Sequence, residues 1–457
     1  MAGPKIVFQP EGYDIGDAMP FYEGGSYFLY HYKTDQAQRG RLQGWTLSET
    51  RDLVAYEDHG VQLPFGKEGE KDRVFRSGSL FKGQDGLYHL LYGADDGGEF
   101  LQLASGKALD ALQKTDFILG IPEGYGPAEF RDPCVFWSEE LRAYVMAVGT
   151  RKAEGKRLLN GCVVWFTSKD LQTWAFQGDL FASGAYTTLE MPDLFKLGQW
   201  WILLFSEYSD RTQVVYRMAR SMTGPWLCPD DDALDAAAYF AAKSAEGPEG
   251  RVLFGWVAGK SSEDDRGAWN ASSGILPHLL FQREDGSLGV RMPQSARDAF
   301  QEGKCLKTPE ISAPYTREEA FLGEAREGTH LLELEIEIEP GTRAFSLSVA
   351  GDEESRQAYE FRFLVKQNRV EFSASPNHGI WPPDHFRGME RLERLLPLEG
   401  KASLKLALLR DESYFCLYAE GAALSGRIYE PKGCAVFAAA ANGKIRVKSA
   451  ELFTLKA

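Results

Sequence analysis

The sequence predicts an all-β protein, a five-bladed β-propeller followed by a C-terminal β-sandwich. Three observations support this prediction. A two-strand unit recurs five times before residue 257, a second segment recurs between these units, and residues 330–421 alternate apolar and polar side chains. Repeats of about 50 residues that hold four short strands are typical of propeller blades, which bury their faces only against neighbouring blades.

Each recurring unit is an apolar strand, a turn rich in glycine or charge, and a second strand dense in aromatic and aliphatic residues. The five units read PFYEGGSYFLYHY (20–32), SLFKGQDGLYHLLYG (79–93), CVFWSEELRAYVMAVG (134–149), DLFKLGQWWILLFS (193–206) and AAKSAEGPEGRVLFGW (241–256). The follow-on segments read GWTLSETRDLVAYEDHG (44–60), VVWFTSKDLQTWAFQG (163–178) and VYRMARSMTGPWLCP (215–229). Each interval therefore holds about four strands, and five units predict five blades.

The remaining third of the chain has the pattern of half-buried antiparallel strands, with apolar residues at every second position. It is clearest in HLLELEIEIEPG (330–341), YEFRFLVKQNRVEFSAS (359–375) and ASLKLALLRDESYFCLYAEG (402–421). We therefore expect the propeller over residues 1–295, a linker over 296–314 and the sandwich over 315–457. The loop HGIWPPDHF (378–386) is expected either to pack between the domains or to reach the rim of the active site.

The composition argues against several classes of partner. The 457 residues carry a formal net charge of −15, which opposes binding to a phosphate backbone, so no nucleic-acid partner is expected. The first residues have no apolar core of signal-peptide length, and no stretch approaches the roughly 20 apolar residues of a membrane span. We expect a cytoplasmic protein without a membrane partner. The six cysteines and seven histidines do not cluster, which disfavours a His or Cys metal centre, although an oxygen-ligated ion stays open.

One acidic position recurs in register with the turns. In GPAEFRDPCVFW (126–137), Asp132 lies five residues before Trp137, the last aromatic residue before the turn. The same offset in other units falls on Asp17, Arg76 and Glu190. Since the innermost strands of a propeller line a central cavity, we expect the three carboxylates to face one another with Arg76 nearby. Such crowding raises the pKa of one carboxyl group above another, as acid–base catalysis requires.

Three of these segments resemble motifs of glycoside hydrolase family 32, the β-fructosidase group of invertases, levanases, inulinases and some fructosyltransferases. FRDP (130–133) resembles its Arg-Asp-Pro motif, LEMPDLF (189–195) its Glu-Cys-Pro-Asp-Leu motif, and GDAMPFYEGGSYFLYHY (16–32) the segment with its nucleophile. The chain departs from the family at Met191, which replaces a cysteine, and around Asp17, where Asn-Asp-Pro-Asn-Gly is missing. It therefore resembles a divergent branch, similar to levan- or difructose-processing members.

The resemblance implies a retaining glycosidase that cleaves β-fructofuranosidic bonds in short fructosides, without a cofactor. Asp17 would be the nucleophile, Glu190 the acid and base, and Asp132 an ionised group that holds sugar hydroxyls. Arg131 and Arg76 would keep Asp132 or Asp17 ionised, since a nearby cation lowers a carboxyl pKa. A mildly acidic pH optimum is expected.

Five further residues are candidate substrate contacts. Ser77 belongs to an SGS segment that supports the resemblance, and Trp269 lies in a polar, glycine-rich loop where it would stack on a sugar face. Asp193 is either a sugar contact or a structural acceptor for Arg131 or a backbone amide. His31 and His278 are either core histidines or reach the cavity; many family members have an arginine in place of His278.

Three other functions stay open at this point. The same scaffold would serve a fructosyltransferase or a difructose-forming enzyme, which differs only in the acceptor of the fructosyl group. A five-bladed arabinofuranosidase or xylosidase would invert the configuration at the anomeric carbon. A non-catalytic sugar-binding propeller would lack one of the three acids, and all three are present. The expected partner is a small carbohydrate in every case, and the oligomeric state is not predicted.

Overall fold

The computed structural model describes almost the whole chain. Over the described residues, the prediction of a nearly all-β chain is confirmed; the helical segments there are one short α-helix and two 3-10 turns, Gln294–Asp298, Ser261–Glu263 and Val365–Gln367. No described helix is long and apolar enough to cross a membrane. The loop 378–386 lies outside the described residues. These are 5–37, 42–67, 70–154, 158–207, 209, 211–265, 267–373 and 392–456.

The described part of the first 291 residues forms five successive antiparallel meanders, each opening with one of the five predicted hairpins. The first meander is β1 (Tyr13–Glu23), β2 (Ser26–Asp35), β3 (Leu42–Thr50) and β4 (Tyr56–Pro64); the second is β5 (Val74–Lys82), β6 (Tyr88–Asp95), β7 (Glu99–Gly106) and β8 (Gln113–Gly120). The third is β9 (Arg131–Ser138), β10 (Ala143–Arg151), β11 (Gly161–Ser168) and β12 (Ala175–Phe181); the fourth is β13 (Glu190–Leu197), β14 (Trp200–Glu207) and β15 (Gln213–Ala219). The fifth is β16 (Tyr239–Gly247), β17 (Gly250–Lys260), β18 (Trp269–Gln282) and β19 (Leu288–Arg291).

The first strands of the meanders form a ring. Each of β1, β5, β9 and β13 contacts the first strand of the next meander, and β16 returns to contact β1. The N-terminal segment closes the ring, since Phe8 pairs with Ile275 and Ile15 with Ser273 of the fifth meander. Residues early on these five strands therefore face a common interior.

Every first strand carries a β-bulge at the same level, where one extra residue breaks the ladder. In four of the five bulges one residue has a left-handed backbone: Asp17 (φ 52°), Asp132 (φ 58°), Met191 (φ 51°) and Ala241 (φ 51°). Asp17 and Asp132 thus share one position, as expected. Glu190 does not: it lies one residue before the bulge, level with Arg131. The predicted register is wrong for Glu190. The strand β13 ends two residues after its aromatic Phe195, whereas β9 ends one residue after Trp137. Phe195 and Trp137 therefore do not occupy equivalent positions, and counting back from them gives different levels.

The C-terminal part forms two packed β-layers joined by one long strand, β30. The first half of β30 pairs with β23 and its second half with β22. The layers pack through apolar side chains: the ring centroids of Phe372 in one layer and Phe415 in the other are 4.2 Å apart. The strands are β20 (Phe300–Cys305), β21 (Glu310–Glu324), β22 (His330–Ile338), β23 (Ala344–Gly351), β24 (Tyr359–Leu364), β25 (Arg369–Ser373), β26 (Leu392–Leu395), β27 (Ser403–Asp411), β28 (Tyr414–Ala419), β29 (Ala422–Arg427) and β30 (Ala435–Leu455).

Residues 296–314, expected to be a linker, are largely structured. They contain β20 and the start of β21, and both strands pair with β30. The alternation of apolar and polar residues is weak here because β20 and much of β21 have exposed side chains. The C-terminal layers therefore begin at about the point where the last meander ends.

Candidate active site

The ring of first strands encloses a cavity of about 270 Å³ near the bulges. Asp17, Asp132 and Glu190 all line it, so the structure brings the three predicted carboxylates together. Arg76, Ser77 and Arg131 also line the cavity, as predicted. The other lining residues are Tyr32, Gly44, Trp45, Phe65, Phe75, Met191, Phe240, Ala241 and Trp256.

Asp17 is held by two hydrogen-bond donors from other meanders. The Ser77 hydroxyl donates to Oδ2 at 2.8 Å, and the indole N–H of Trp256 donates to Oδ1 at 3.1 Å. Burial, with the nearby charge of Asp132, raises the pKa of Asp17 to about 6, while the two donors and Arg131 oppose the rise. Asp17 is therefore mostly ionised at neutral pH and fixed in orientation.

Asp132 is buried, with 4% of its surface exposed. Its Oδ2 accepts the backbone N–H of Met191 at 3.0 Å, a bond that links β9 to the bulge of β13. Behind it, the buried ammonium of Lys243 donates to the carbonyl oxygens of Asp132 (3.2 Å) and Pro133 (2.6 Å). These bonds fix the left-handed backbone of Asp132 and aim its carboxylate into the cavity.

Glu190 is paired with Arg131 on the neighbouring strand. The Arg131 Nη2 donates to Glu190 Oε1, and the same nitrogen also contacts the carboxylate of Glu129. Burial raises the pKa of Glu190 to about 8; Arg131 lowers it, and the charges of Asp132 and Asp17 raise it further. At neutral pH Glu190 therefore holds a proton that it can give to a ligand.

Two glycines let the charged side chains approach. A Cβ on Gly93 would lie 2.6 Å from the Cβ of Arg76 and 3.2 Å from that of Arg131. A Cβ on Gly149 would lie 2.4 Å from the carbonyl oxygen of Leu189, the residue before Glu190. Both positions need glycine because neighbouring meanders approach each other closely beside the cavity.

Arg76 has few partners for its donors. Its Nη2 lies 3.6 Å from Asp95 and its Nε 3.7 Å from Glu99, beyond hydrogen-bonding distance. The Nε is buried and has no hydrogen-bond partner among the described residues. The guanidinium can therefore donate to a ligand in the cavity.

Four predicted contacts do not line the cavity. His31 is fully buried, with Nε2 bonded to Ser48 at 2.9 Å and Nδ1 to the carbonyl of Tyr32 at 3.0 Å. Burial lowers the pKa of His31 to about 4, so it is a neutral core histidine. His278 is equally buried at the boundary with the C-terminal layers, bonded to Asp235 at 3.0 Å. Of the two alternatives for these histidines, the structure therefore supports the core position, and the substrate contact is wrong.

Asp193 and Trp269 do not line the cavity either, and Asp193 fits the second of its two predicted roles, a structural acceptor for a backbone amide. Asp193 Oδ2 accepts the N–H (2.8 Å) and the hydroxyl (2.5 Å) of Ser244, so it joins β13 to β16 as a structural acceptor. Trp269 is half-buried and packs against the cluster that contains Trp256 and Met191, with the Lys260 ammonium 4.6 Å from its ring. It supports the cavity wall from behind.

Sequence reasoning missed Trp256 and Lys243. The repeat pattern places Trp256 in the blade core and gives Lys243 no role. Their functional contacts, with Asp17 and with the carbonyl of Asp132, span 239 and 111 residues of chain, so no local pattern signals them. The pattern also places Trp45 in the core. Its ring stacks on that of Phe75, with the ring centroids 5.8 Å apart, and it lines the cavity.

Groups with metal-ligand geometry lie outside the cavity in the described residues: the buried set Asp235, His278 and Cys416, and the surface set Glu49, Glu57 and His59. The buried set is hydrogen-bonded by the protein itself: Asp235 to His278 and to Ser425, and the Cys416 thiol to Ser425. This set is best explained as a structural network.

Comparison with known proteins identifies the family of the chain. The model of the "Glycosyl hydrolases family 32 N-terminal domain" matches residues 8–291. The levanase of Bacillus subtilis (strain 168) is 23% identical over 501 residues, which cover 99% of this chain and 70% of the levanase. The sucrose-6-phosphate hydrolase of Pediococcus pentosaceus is 24% identical, covering 92% of this chain and 84% of that protein.

Among solved structures, a variant of fructan 1-exohydrolase IIa from Cichorium intybus, in complex with 1-kestose, superposes with a TM-score of 0.82 at 16% identity. The superposition covers 100% of this chain and 97% of that one, so the two proteins share their fold from end to end. Since the family model spans well over half of the chain, this protein belongs to the glycosyl hydrolases of family 32.

Proposed function

We propose that this glycosidase is a retaining β-fructofuranosidase that acts on short, neutral fructosides, and that its five meanders are the blades of a five-bladed β-propeller. The observation that carries the proposal is the pair Asp17 and Glu190 in one cavity, with pKa values raised to about 6 and about 8. Two carboxyl groups with separated pKa values divide into an ionised nucleophile and a protonated acid at neutral pH.

In the first step, a carboxylate oxygen of Asp17 attacks the anomeric carbon of the fructosyl group. The bond from that carbon to the leaving oxygen breaks, and Glu190 transfers its proton to that oxygen. In the second step, a water molecule gives a proton to Glu190 and attacks the same carbon, which releases Asp17. Two inversions give net retention of configuration.

Asp132 and the two arginines position the sugar. Asp132 Oδ1 has no hydrogen bond from the described residues, whereas Oδ2 is occupied by Met191. Oδ1 would accept sugar hydroxyls whose bonds shorten as positive charge develops on the ring. Arg76 would donate to hydroxyls of the leaving group. With Glu190 protonated, the two ionised acids that line the cavity, Asp17 and Asp132, balance its two arginines among the described residues. The cavity therefore has no excess positive charge for an anionic leaving group, which favours a neutral one.

The test is fructose release from sucrose, kestose, levan and inulin oligosaccharides and aryl fructofuranosides. Asp17→Asn and Glu190→Gln should each lower kcat by about 10²–10⁴-fold on an unactivated fructoside. Asp14→Asn is the matched control: Asp14 lies on the same strand, bonded to Gln9 and Gln36, outside the cavity. The rate should fall below about pH 6, as Asp17 is protonated, and above about pH 8, as Glu190 loses its proton.

NMR of the first fructose anomer formed decides the stereochemistry. Retention supports the proposal, and inversion would assign the chain the mechanism of the inverting five-bladed enzymes. Fructosyl products of higher mass at high substrate concentration would show a transferase. If no fructoside is cleaved, the proposal is wrong.

A further inference from the structure

A strained residue lies immediately before the motif with Arg131 and Asp132. Glu129 has a left-handed backbone (φ 71°), which is costly for a residue other than glycine. The next residue, Phe130, fixes this segment. Phe130 is fully buried, and its ring packs edge-on against that of Phe166 with the ring centroids 6.3 Å apart. Its backbone N–H donates to the Glu99 carboxylate at 2.6 Å. The fold therefore holds Glu129 in one place at a cost.

The side chain of Glu129 is directed to the arginine of the active site. One nitrogen of Arg131, Nη2, contacts both the Glu129 carboxylate and Glu190 Oε1. The Arg131 Nε lies 3.9 Å from Asp132, too far for a hydrogen bond. The side chain of Arg131 is 17% exposed and that of Glu129 21%, so water screens these charges only in part. Arg131 is thus shared between two carboxylates.

This sharing affects the charge that Glu190 experiences. The charged groups that face Glu190 are Arg131 and Asp132 on β9, Asp17 on β1, and Glu129 before β9. Of these described groups, Arg131 favours the ionised form of Glu190 and the three acids oppose it. A neutral residue in place of Glu129 would remove one opposing charge and leave the shared Nη2 of Arg131 to Glu190. Both changes favour loss of the proton from Glu190.

We propose that Glu129 is a positioning residue that holds part of the Arg131 guanidinium and so keeps the acid Glu190 protonated at neutral pH. The proposal rests on the function proposed above, in which Glu190 donates a proton to the leaving group. It explains why a strained glutamate precedes the arginine: the turn brings a second carboxylate to Arg131 without placing it among the cavity-lining residues.

The kinetic test is Glu129→Gln, which removes the charge and keeps the shape. With an unactivated fructoside, the basic limb of the kcat/KM pH profile should move to lower pH by about half a unit or more, and the acidic limb should stay in place. With an aryl fructoside whose leaving group needs little protonation, the variant should match the wild type. Glu140→Gln, exposed in the turn after β9, is the matched control and should move neither limb.

A second variant covers the case in which the glutamine misfolds. Glu129→Gly removes the charge and also relieves the left-handed strain, so it should fold and show the same shift. A basic limb that is unmoved, or moved to higher pH, in both variants would overturn the proposal. An equal loss at every pH and with both substrates would show a purely structural role and would overturn it as well.

A direct titration separates this proposal from the proposed function. In protein labelled with ¹³C at the glutamate carboxyl carbons, the Glu190 resonance is the one that disappears in Glu190→Gln. Its titration midpoint should fall in Glu129→Gln, and an unchanged midpoint would refute the role of Glu129. If the wild type cleaves no fructoside, the proposed function fails, and the titration still decides whether Glu129 controls the proton on Glu190.

Discussion

At the scale of single residues, the site separates two carboxyl groups by what surrounds each one. Asp17 receives hydrogen bonds from Ser77 and Trp256, which favour its ionised form. Glu190 has Arg131 as its one cationic partner among the described residues, and shares it with Glu129. Burial raises the pKa of both groups, to about 6 for Asp17 and about 8 for Glu190; Asp132 raises the pKa of Asp17 further, whereas Asp132, Asp17 and Glu129 together raise that of Glu190. The separation comes from neighbours on other strands.

The raised pKa of Asp17 predicts a cost in stability. Its pKa of about 6 exceeds the ordinary value of 3.8, so the stabilisation by the protonated form is complete below pH 3.8 and is lost as the pH rises through 6. By pH 8 the loss is on the order of 2–3 kcal/mol. Asp17→Asn stays neutral, and its amide can accept from Trp256 and donate to Ser77. We expect a free energy of unfolding above that of the wild type at pH 8, measured by urea denaturation.

The advantage of Asp17→Asn should shrink when the denaturation is repeated at pH 4.5, where wild-type Asp17 is mostly protonated in the folded state. Asp14→Asn, on the same strand and outside the cavity, is the matched control and should not share the gain in stability at pH 8. If Asp17→Asn is less stable than the wild type at pH 8, the hydrogen bonds to the carboxylate outweigh the cost of burying its charge.

At the scale of elements, sequence could predict the hairpins and not the bulges. A hairpin is a local pattern of turn residues between apolar strands, and all five predicted hairpins are present. A bulge adds a residue without changing this pattern. The end of a strand is equally hidden: counting from Phe195 misplaces Glu190 by one position because β13 ends two residues after Phe195, whereas β9 ends one residue after Trp137. The same limit explains His31 and His278: their hydrogen-bond partners, Ser48 and Asp235, are set by packing between strands.

The close approach of the third and fourth meanders predicts a specific effect of Gly149→Ala. The new Cβ would lie 2.4 Å from the backbone oxygen of Leu189, which cannot rotate away. The start of β13 must move, and Glu190 with it. We expect a loss of about 1–3 kcal/mol in the free energy of unfolding and up to about 100-fold in kcat. Gly120→Ala is the matched control, because no atom lies within 4 Å of the new Cβ, and it should change neither the free energy of unfolding nor kcat. Similar losses in both variants would point to a general cost of replacing glycine.

At the scale of the whole molecule, the C-terminal layers complete the meander region. One hydrophobic core contains Leu253 and Leu276 of the fifth meander together with Leu408 and Phe415 of the C-terminal layers. Polar bonds cross the same boundary: Asp411 Oδ2 accepts the N–H of Val7 at 2.7 Å. The N-terminal segment that closes the ring is therefore fixed by the C-terminal layers, and the stability of the cavity depends on both parts.

Asp235 is a highly bonded residue at this boundary, so its removal tests the dependence. It is 1% exposed, and accepts from His278 (3.0 Å) and from both the N–H (2.7 Å) and the hydroxyl (2.5 Å) of Ser425. Asp235→Ala leaves these buried donors unpaired, which should cost about 3–5 kcal/mol. Ser425→Ala removes a single donor and should cost less.

Calorimetry and an activity assay are the measurements. If the two parts unfold as one unit, calorimetry should show one transition at a lower temperature in both variants. Fructose release at room temperature should be nearly unchanged, because neither residue lines the cavity. Two resolved transitions would show that each part folds alone and that the boundary does not stabilise the cavity.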